Sequence, residues 1–253
     1  MKRTLIILLT LFVTLSGFAQ DPTEIVRKAY LKMEGESQYA LMTMQVVRPK
    51  WTRTVKFKFA SKGTDYALVL IIYPAKEQGQ TFLMIKNQMW MYNPQVNSLI
   101  KLGPSMMSQG WMGSDYSNDE LLNEGSIVKD YNHKILGEET IENRPCWKIE
   151  LTPKSGTNIV WGKQIMWIDK KDYLILKTEL YDEDGYLVKT QLASDIKNMH
   201  GRVIPTKFTI IPEEEPDNKT ILTIDDIRFN VNIPNSFFTI QNMRRGMNIN
   251  FNF

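Results

Sequence analysis

Eight consecutive positions, Tyr66-Ala67-Leu68-Val69-Leu70-Ile71-Ile72-Tyr73, carry apolar or aromatic side chains without a break. Their shortness and their β-branched, aromatic character mark a strand. Successive side chains of a strand point to opposite faces, so one that is apolar on both must be covered on both. A curved sheet with a helix filling its concave face would meet that demand, and so would a sheet with an internal ligand cavity. Residues 82–85 and Met89-Trp90-Met91-Tyr92 have the same two-sided character.

Around this stretch, period-two runs bounded by Gly, Pro, Asn or Asp predict further strands. They cover 38–48, 52–61, 65–73, 80–86, 88–92, 98–102, 133–141, 144–152, 161–169, 173–182, 186–197, 202–211, 219–230 and 247–253. Asp182-Glu183-Asp184-Gly185 lies between two alternating segments and reads as a hairpin turn, since the further ligands of a calcium loop are missing. Within 186–196, Tyr186, Val188, Leu192 and Ile196 share one side and Lys189, Gln191 and Asp195 the other, which predicts one wet face. Helical spacing comes ahead of the strands. Asp21 or Thr23 caps it, Pro22 suits its first turn, and Ile25, Val26, Ala29, Tyr30 and Met33 recur through about Glu34, before Gly35. Many short strands rarely separated by helices imply an antiparallel sheet. Residues 103–125 interrupt it, with Met106, Met107, Trp111 and Met112 scattered among Gly and Ser, followed by Ser117–Leu122 as a capped short helix. No repeat or linker divides residues 20–253, which read as one domain.

The N-terminus has the parts of a secretory signal. Lys2 and Arg3 precede an apolar run from Leu5 to Leu15, and Ser16-Gly17-Phe18-Ala19 offers a cut after Ala19. A membrane span needs about 20 apolar residues, more than this run supplies. No cysteine lies near the cut, so the mature chain is expected to be unlipidated and exported. Loss of Lys2 and Arg3 leaves 29 of the 31 basic residues against 28 acidic ones. Such a balance argues against nucleic acid as a partner.

Residues suited to catalysis are sparse. His133 and His200 are distant, and the single cysteine, Cys146, sits between Pro145 and Trp147 at the start of an apolar strand, as a buried, inert thiol would. They form no metal-ligand spacing, and no phosphate loop or nucleophile elbow occurs. The acidic groups Glu213-Glu214-Glu215 and Asp225-Asp226 read as solvated charge. The expectation is a protein without catalysis or cofactor. What the chain has in quantity is soft apolar surface: 14 methionines and six tryptophans. Phe82, Met84, Trp90, Tyr92, Met106, Met107, Trp111 and Met112 are the candidates to line a lipid-binding cavity or its lid. Methionine suits surfaces that must adapt to a flexible ligand such as an acyl chain.

Phe82-Leu83-Met84-Ile85, then Gln88-Met89-Trp90-Met91-Tyr92-Asn93-Pro94, then Met112-Gly113-Ser114-Asp115-Tyr116-Ser117-Asn118-Asp119-Glu120-Leu121 resembles the LolA-like outer-membrane lipoprotein-sorting protein family. Arg144–Leu151 and Trp167-Ile168-Asp169 with Tyr173–Lys177 fit the same plan, so the resemblance spans nearly the whole mature chain. It implies a mainly β fold: a half-open antiparallel β-barrel with helices over its concave face. The implied function is a periplasmic carrier of lipids or of the acyl chains of lipoproteins, monomeric, with an inner-membrane RND-type or ABC-type transporter as partner. It also makes Arg48, by its place in an early strand, the counterpart of a lid-latching arginine. The chain departs from the family at Asn97-Ser98-Leu99-Ile100-Lys101-Leu102, where a more basic segment is usual.

Two rival readings stand beside the carrier. A non-carrying adaptor would bind a transporter through the same apolar patch. An outer-membrane β-barrel would explain the alternation of Met247–Phe253 and of Val55-Lys56-Phe57-Lys58-Phe59.

Overall fold

The computed structural model describes residues 20–252 apart from 87, 124–126 and 158. The signal-peptide reading of residues 1–19 lies outside the described residues. Helix α1 (Pro22–Met33) begins where expected, with the Asp21 carboxylate accepting from the Thr23 backbone N–H at 2.9 Å. Its Ile25, Val26 and Ala29 are buried.

Two antiparallel meanders follow. The first runs through β1 (Ser37–Arg48), β2 (Trp51–Lys62), β3 (Tyr66–Tyr73), β4 (Thr81–Ile85), β5 (Gln88–Asn93) and β6 (Ser98–Lys101). The second runs through β7 (Tyr131–Ile141), β8 (Arg144–Pro153), β9 (Lys163–Asp169), β10 (Ile175–Tyr181), β11 (Leu187–Met199), β12 (Arg202–Pro212) and β13 (Lys219–Phe229). Pairing of β13 with β1 joins them into one 13-stranded sheet whose edges are β6 and β7. The sheet is open. A transmembrane barrel must close so that no edge is left unpaired, so the barrel reading does not hold.

The chain between β6 and β7 must pass from one edge of the sheet to the other. It does so on the concave side, through α2 (Pro104–Met107), a single 3-10 turn (Trp111–Gly113) and α3 (Asn118–Asn123). Helix α1 lies on the same side of the second meander, where Ile25, Val26 and Ala29 pack with Trp147, Ile149 and Met166.

The outer face of the first meander is covered as well, which answers the demand of β3. Leu68, Leu70 and Leu83 pack there against Ile233, Phe237, Phe238, Met243, Ile249 and Phe251 of the C-terminal segment. Helix α4 (Ile240–Met243) is pinned to the sheet by Thr81 Oγ1, which donates to the Met243 carbonyl at 3.0 Å. The strand expected at 247–253 is replaced by a 3-10 turn (Gly246–Asn248) and an irregular end. Ile249 and Phe251 alternate because they press on a sheet face, away from any edge with which a strand would pair.

Strand β11 also departs from expectation, in sidedness. Leu192 is 37% exposed on the outer face, whereas Lys189 is only 8% exposed. The amine of Lys189 bonds Glu120 at 2.7 Å and the Asp115 carbonyl at 2.8 Å beneath the crossing segment. These partners offset the desolvation of a charge that pattern alone assigns to water. The β10–β11 hairpin turn forms as predicted, with Gly185 at φ 86°.

The chain approaches this hairpin closely at Gly162, whose N–H donates to the Tyr181 carbonyl at 3.0 Å. A Cβ at Gly162 would lie 2.1 Å from the Asp182 carbonyl oxygen. Gly162→Ala is therefore expected to cost about 2 kcal/mol, within the range for overpacking. Urea unfolding checks it, and a change below about 0.5 kcal/mol would show that the backbone yields freely.

Candidate functional site: an apolar cavity under a latched crossing segment

Between the concave face, α1 and the crossing segment lies a cavity of about 380 Å³. Small-ligand sites fall in the range of roughly 300–1,000 Å³. Register dictates its lining. Met42 and Met44 of β1 stand beside Phe57 and Phe59 of β2, and Phe82 and Met84 of β4 continue the surface.

The crossing segment is firmly knit. Its Trp111, 5% exposed, meets Phe57 and Phe82 edge to face, each at 5.4 Å between ring centroids. Ser117 and Glu120 form a capping box at the start of α3: the Glu120 N–H donates to Ser117 Oγ at 3.1 Å and the Ser117 N–H to Glu120 Oε2 at 2.7 Å. Asn118 Nδ2 donates to the carbonyls of Met106 at 2.9 Å and Gln109 at 3.2 Å, tying α3 to α2.

Four strands hold this segment from below. Arg48, at the end of β1, forms a two-pronged ion pair with Asp115 (2.9 and 3.2 Å), and Thr220 Oγ1 of β13 donates to the same carboxylate at 2.6 Å. Arg53 Nη1 of β2 donates to the Met112 carbonyl at 2.6 Å, and its other amine pairs with Glu77. Lys189 of β11 completes the set through Glu120 and the Asp115 carbonyl. The motif residues Asp115, Ser117 and Glu120 thus serve to fold and fasten the segment.

The groups with catalytic potential lie elsewhere. His133 bridges Thr23 Oγ1 at 3.2 Å and the Ile127 carbonyl at 2.8 Å, and burial lowers its pKa. His200 bonds Asp226 at 2.7 Å. Burial pushes the Cys146 thiol up, as for an inert side chain. Among the described residues no three His, Cys, Asp or Glu side chains come together as a metal site.

This architecture has counterparts among known proteins. A family model described as that of an uncharacterized protein matches residues 63–245. A LolA superfamily protein of Nitrosomonas europaea superposes with a TM-score of 0.74 at 23% identity, over 88% of this chain and 99% of that one. A structure assigned as an outer membrane lipoprotein-sorting protein domain of Vibrio parahaemolyticus gives 0.78 at 22% identity, over 88% and 98%. The chain belongs to the family whose model it matches, and it shares the fold of these LolA-like structures. A DUF1329 family protein of Desulfovibrio piger shares the fold at a TM-score of 0.81 and 23% identity, over 88% and 100%. No curated protein matches the sequence.

Against this LolA-like frame, the predicted site residues divide. Phe82, Met84 and Trp111 line the cavity. Met112 packs in the same apolar cluster as Trp111, and Met106 and Met107 are half-buried on α2. Arg48 reaches the crossing segment through its ion pair with Asp115. Trp90 and Tyr92 do not reach the cavity. Strand alternation turns Met89 inward and these two rings outward, where Tyr92 is buried near the C-terminal segment and Trp90 carries Lys101 at 5.5 Å from its ring centroid. Met42, Met44, Phe57 and Met166 line the cavity without having been singled out. Methionines two apart in β1 were the available signal.

Proposed function

We propose that this LolA-like protein binds lipids, or the acyl chains of lipoproteins, in its concave cavity and shuttles them through the periplasm toward the outer membrane. The observation that carries this reading is the cavity itself, lined by methionines and aromatics and roofed by a segment fastened through side chains. Cleavage after Ala19 delivers an unlipidated, monomeric domain spanning residues 20–253, loaded or unloaded at an inner-membrane transporter of the RND or ABC type. Its role is carriage without catalysis.

The energetics suit a reversible carrier. Burial gains about 0.8 kcal/mol per CH₂, so a 16-carbon chain would recover on the order of 12 kcal/mol before association costs. Trp111, packed on Phe57 and Phe82, fills part of the space such a chain would take. Displacing it draws down affinity, which makes release attainable. Phe82, Met84 and Trp111 are the contacts, Met106, Met107 and Met112 belong to the lid, and Arg48 holds it. A recess beneath a helix and a strap fits a slender chain better than it fits a protein surface, which favours carriage over the adaptor reading.

Native mass spectrometry after gentle purification tests this. Acyl-bearing molecules are expected to leave with the protein, and the delipidated protein should gain thermal stability from added phospholipid or acylated peptide. Absence of both results overturns the carrier.

A further inference from the structure

One buried side-chain oxygen lining the cavity has no hydrogen-bond partner among the described residues. Gln38 is 7% exposed and lines the cavity from β1, yet its Oε1 makes no hydrogen bond among the described residues. Ser61 of β2 stands directly opposite it in the register, is 5% exposed and lines the same wall. A buried acceptor left without a donor is costly, and native folds rarely retain one without use. A second such atom among the described residues, Arg53 Nε, belongs to a guanidinium already engaged by Glu77 and the Met112 carbonyl.

Position gives Gln38 a meaning. The lining runs on from Gln38 and Ser61 to Gly63 and Thr64 in the β2–β3 turn, both exposed, and to Lys32 and Glu34 at the end of α1. The cavity therefore meets solvent at this end of the strands, while Trp111 closes the other. An amphiphile lying along it would set its tail toward Trp111 and its polar junction beside Gln38.

We propose that Gln38 and Ser61 form a polar subsite just inside the mouth, which selects acyl lipids bearing a hydrogen-bond donor, N–H or O–H, next to the chain. This rests on the carrier reading above and names the ligand class of the same cavity. An ester junction offers only acceptors and leaves Gln38 Oε1 unpaired. An amide or a hydroxyl supplies the missing donor, and an amide also accepts from the carboxamide N–H₂ group.

Three probes of matched length separate the possibilities: methyl palmitate with no donor, methyl 2-hydroxypalmitate with an O–H, and N-methylpalmitamide with an N–H. Their affinities are measured for wild type, Gln38→Met and, as a second variant, Gln38→Leu. Relative to methyl palmitate, at least one donor-bearing probe should be favoured about tenfold more by wild type than by either variant. The probe that shows the gain tells whether an amide or a hydroxyl is the source. Equal ratios in wild type and both variants overturn the subsite and leave acyl-chain carriage standing. Failure of wild type to bind any of the three overturns both.

Discussion

Replacing Asp115 with alanine is expected to lower the unfolding free energy by about 3 kcal/mol, the low end of what losing one partner of a buried ion pair costs. The side chains of Arg48 and Asp115 are only 16% and 10% exposed, so water repairs little of the damage. Thr220 Oγ1 loses its acceptor at the same time. A change of that size would lower the midpoint of thermal unfolding by roughly 6–12 °C in a chain of this length. Urea titration checks the free energy. Adding Arg48→Ala to Asp115→Ala should cost much less than the two single changes summed, because the second removes a charge already stranded. Amide exchange should quicken across α2 and α3 in the single variant. A loss below about 1 kcal/mol would show that the crossing segment is held by its apolar contacts, with the ion pair incidental.

Trp111→Ala is the second large effect. Truncating a buried tryptophan costs about 3–5 kcal/mol, and the edge-to-face contacts with Phe57 and Phe82 put this one in that range. The direction in the presence of ligand separates two roles. If Trp111 occupies space that an acyl chain takes over, its loss leaves a void that the chain fills, and added lipid should raise the melting temperature of the variant more than that of wild type. If Trp111 is a wall against which the chain packs, lipid should help the variant less. The first outcome is expected, from the position of the ring among residues that line the cavity.

Most strands were legible because they keep period two between Gly, Pro and Asx residues, and β3, β4 and β5 because they are short, unbroken apolar runs. Helix α1 and the cap of α3 were legible for equally local reasons: Asp21 accepts from Thr23, and Ser117 and Glu120 satisfy each other. Which face of a strand turns inward is a long-range matter. Alternation groups Lys189 with Gln191 but leaves open whether that side meets water, and the answer depends on Glu120, which lies 69 residues away. The same ambiguity separated Trp90 and Tyr92 from their neighbours Met89 and Met91. Ile249 and Phe251 look like a strand because any segment lying flat on a sheet face alternates too. The apolar part of the site was half visible, through Phe82, Met84 and Trp111. Gln38 was not, since an unpaired carboxamide oxygen is defined by what fails to surround it.

The joining of β1 to β13 has a consequence for how the molecule comes into being. Gln38 faces Phe229 in that seam, so the middle of the sheet is stitched from the two extremes of the chain. Contacts of such sequence separation form late and slowly. A nascent chain emerging in order can zip β1 to β6 early, but it holds one side of β1 bare until residue 229 has appeared. Until then the two meanders are separate ribbons with nothing to curve around. The protein therefore acquires its hollow only once synthesis has passed the last strand.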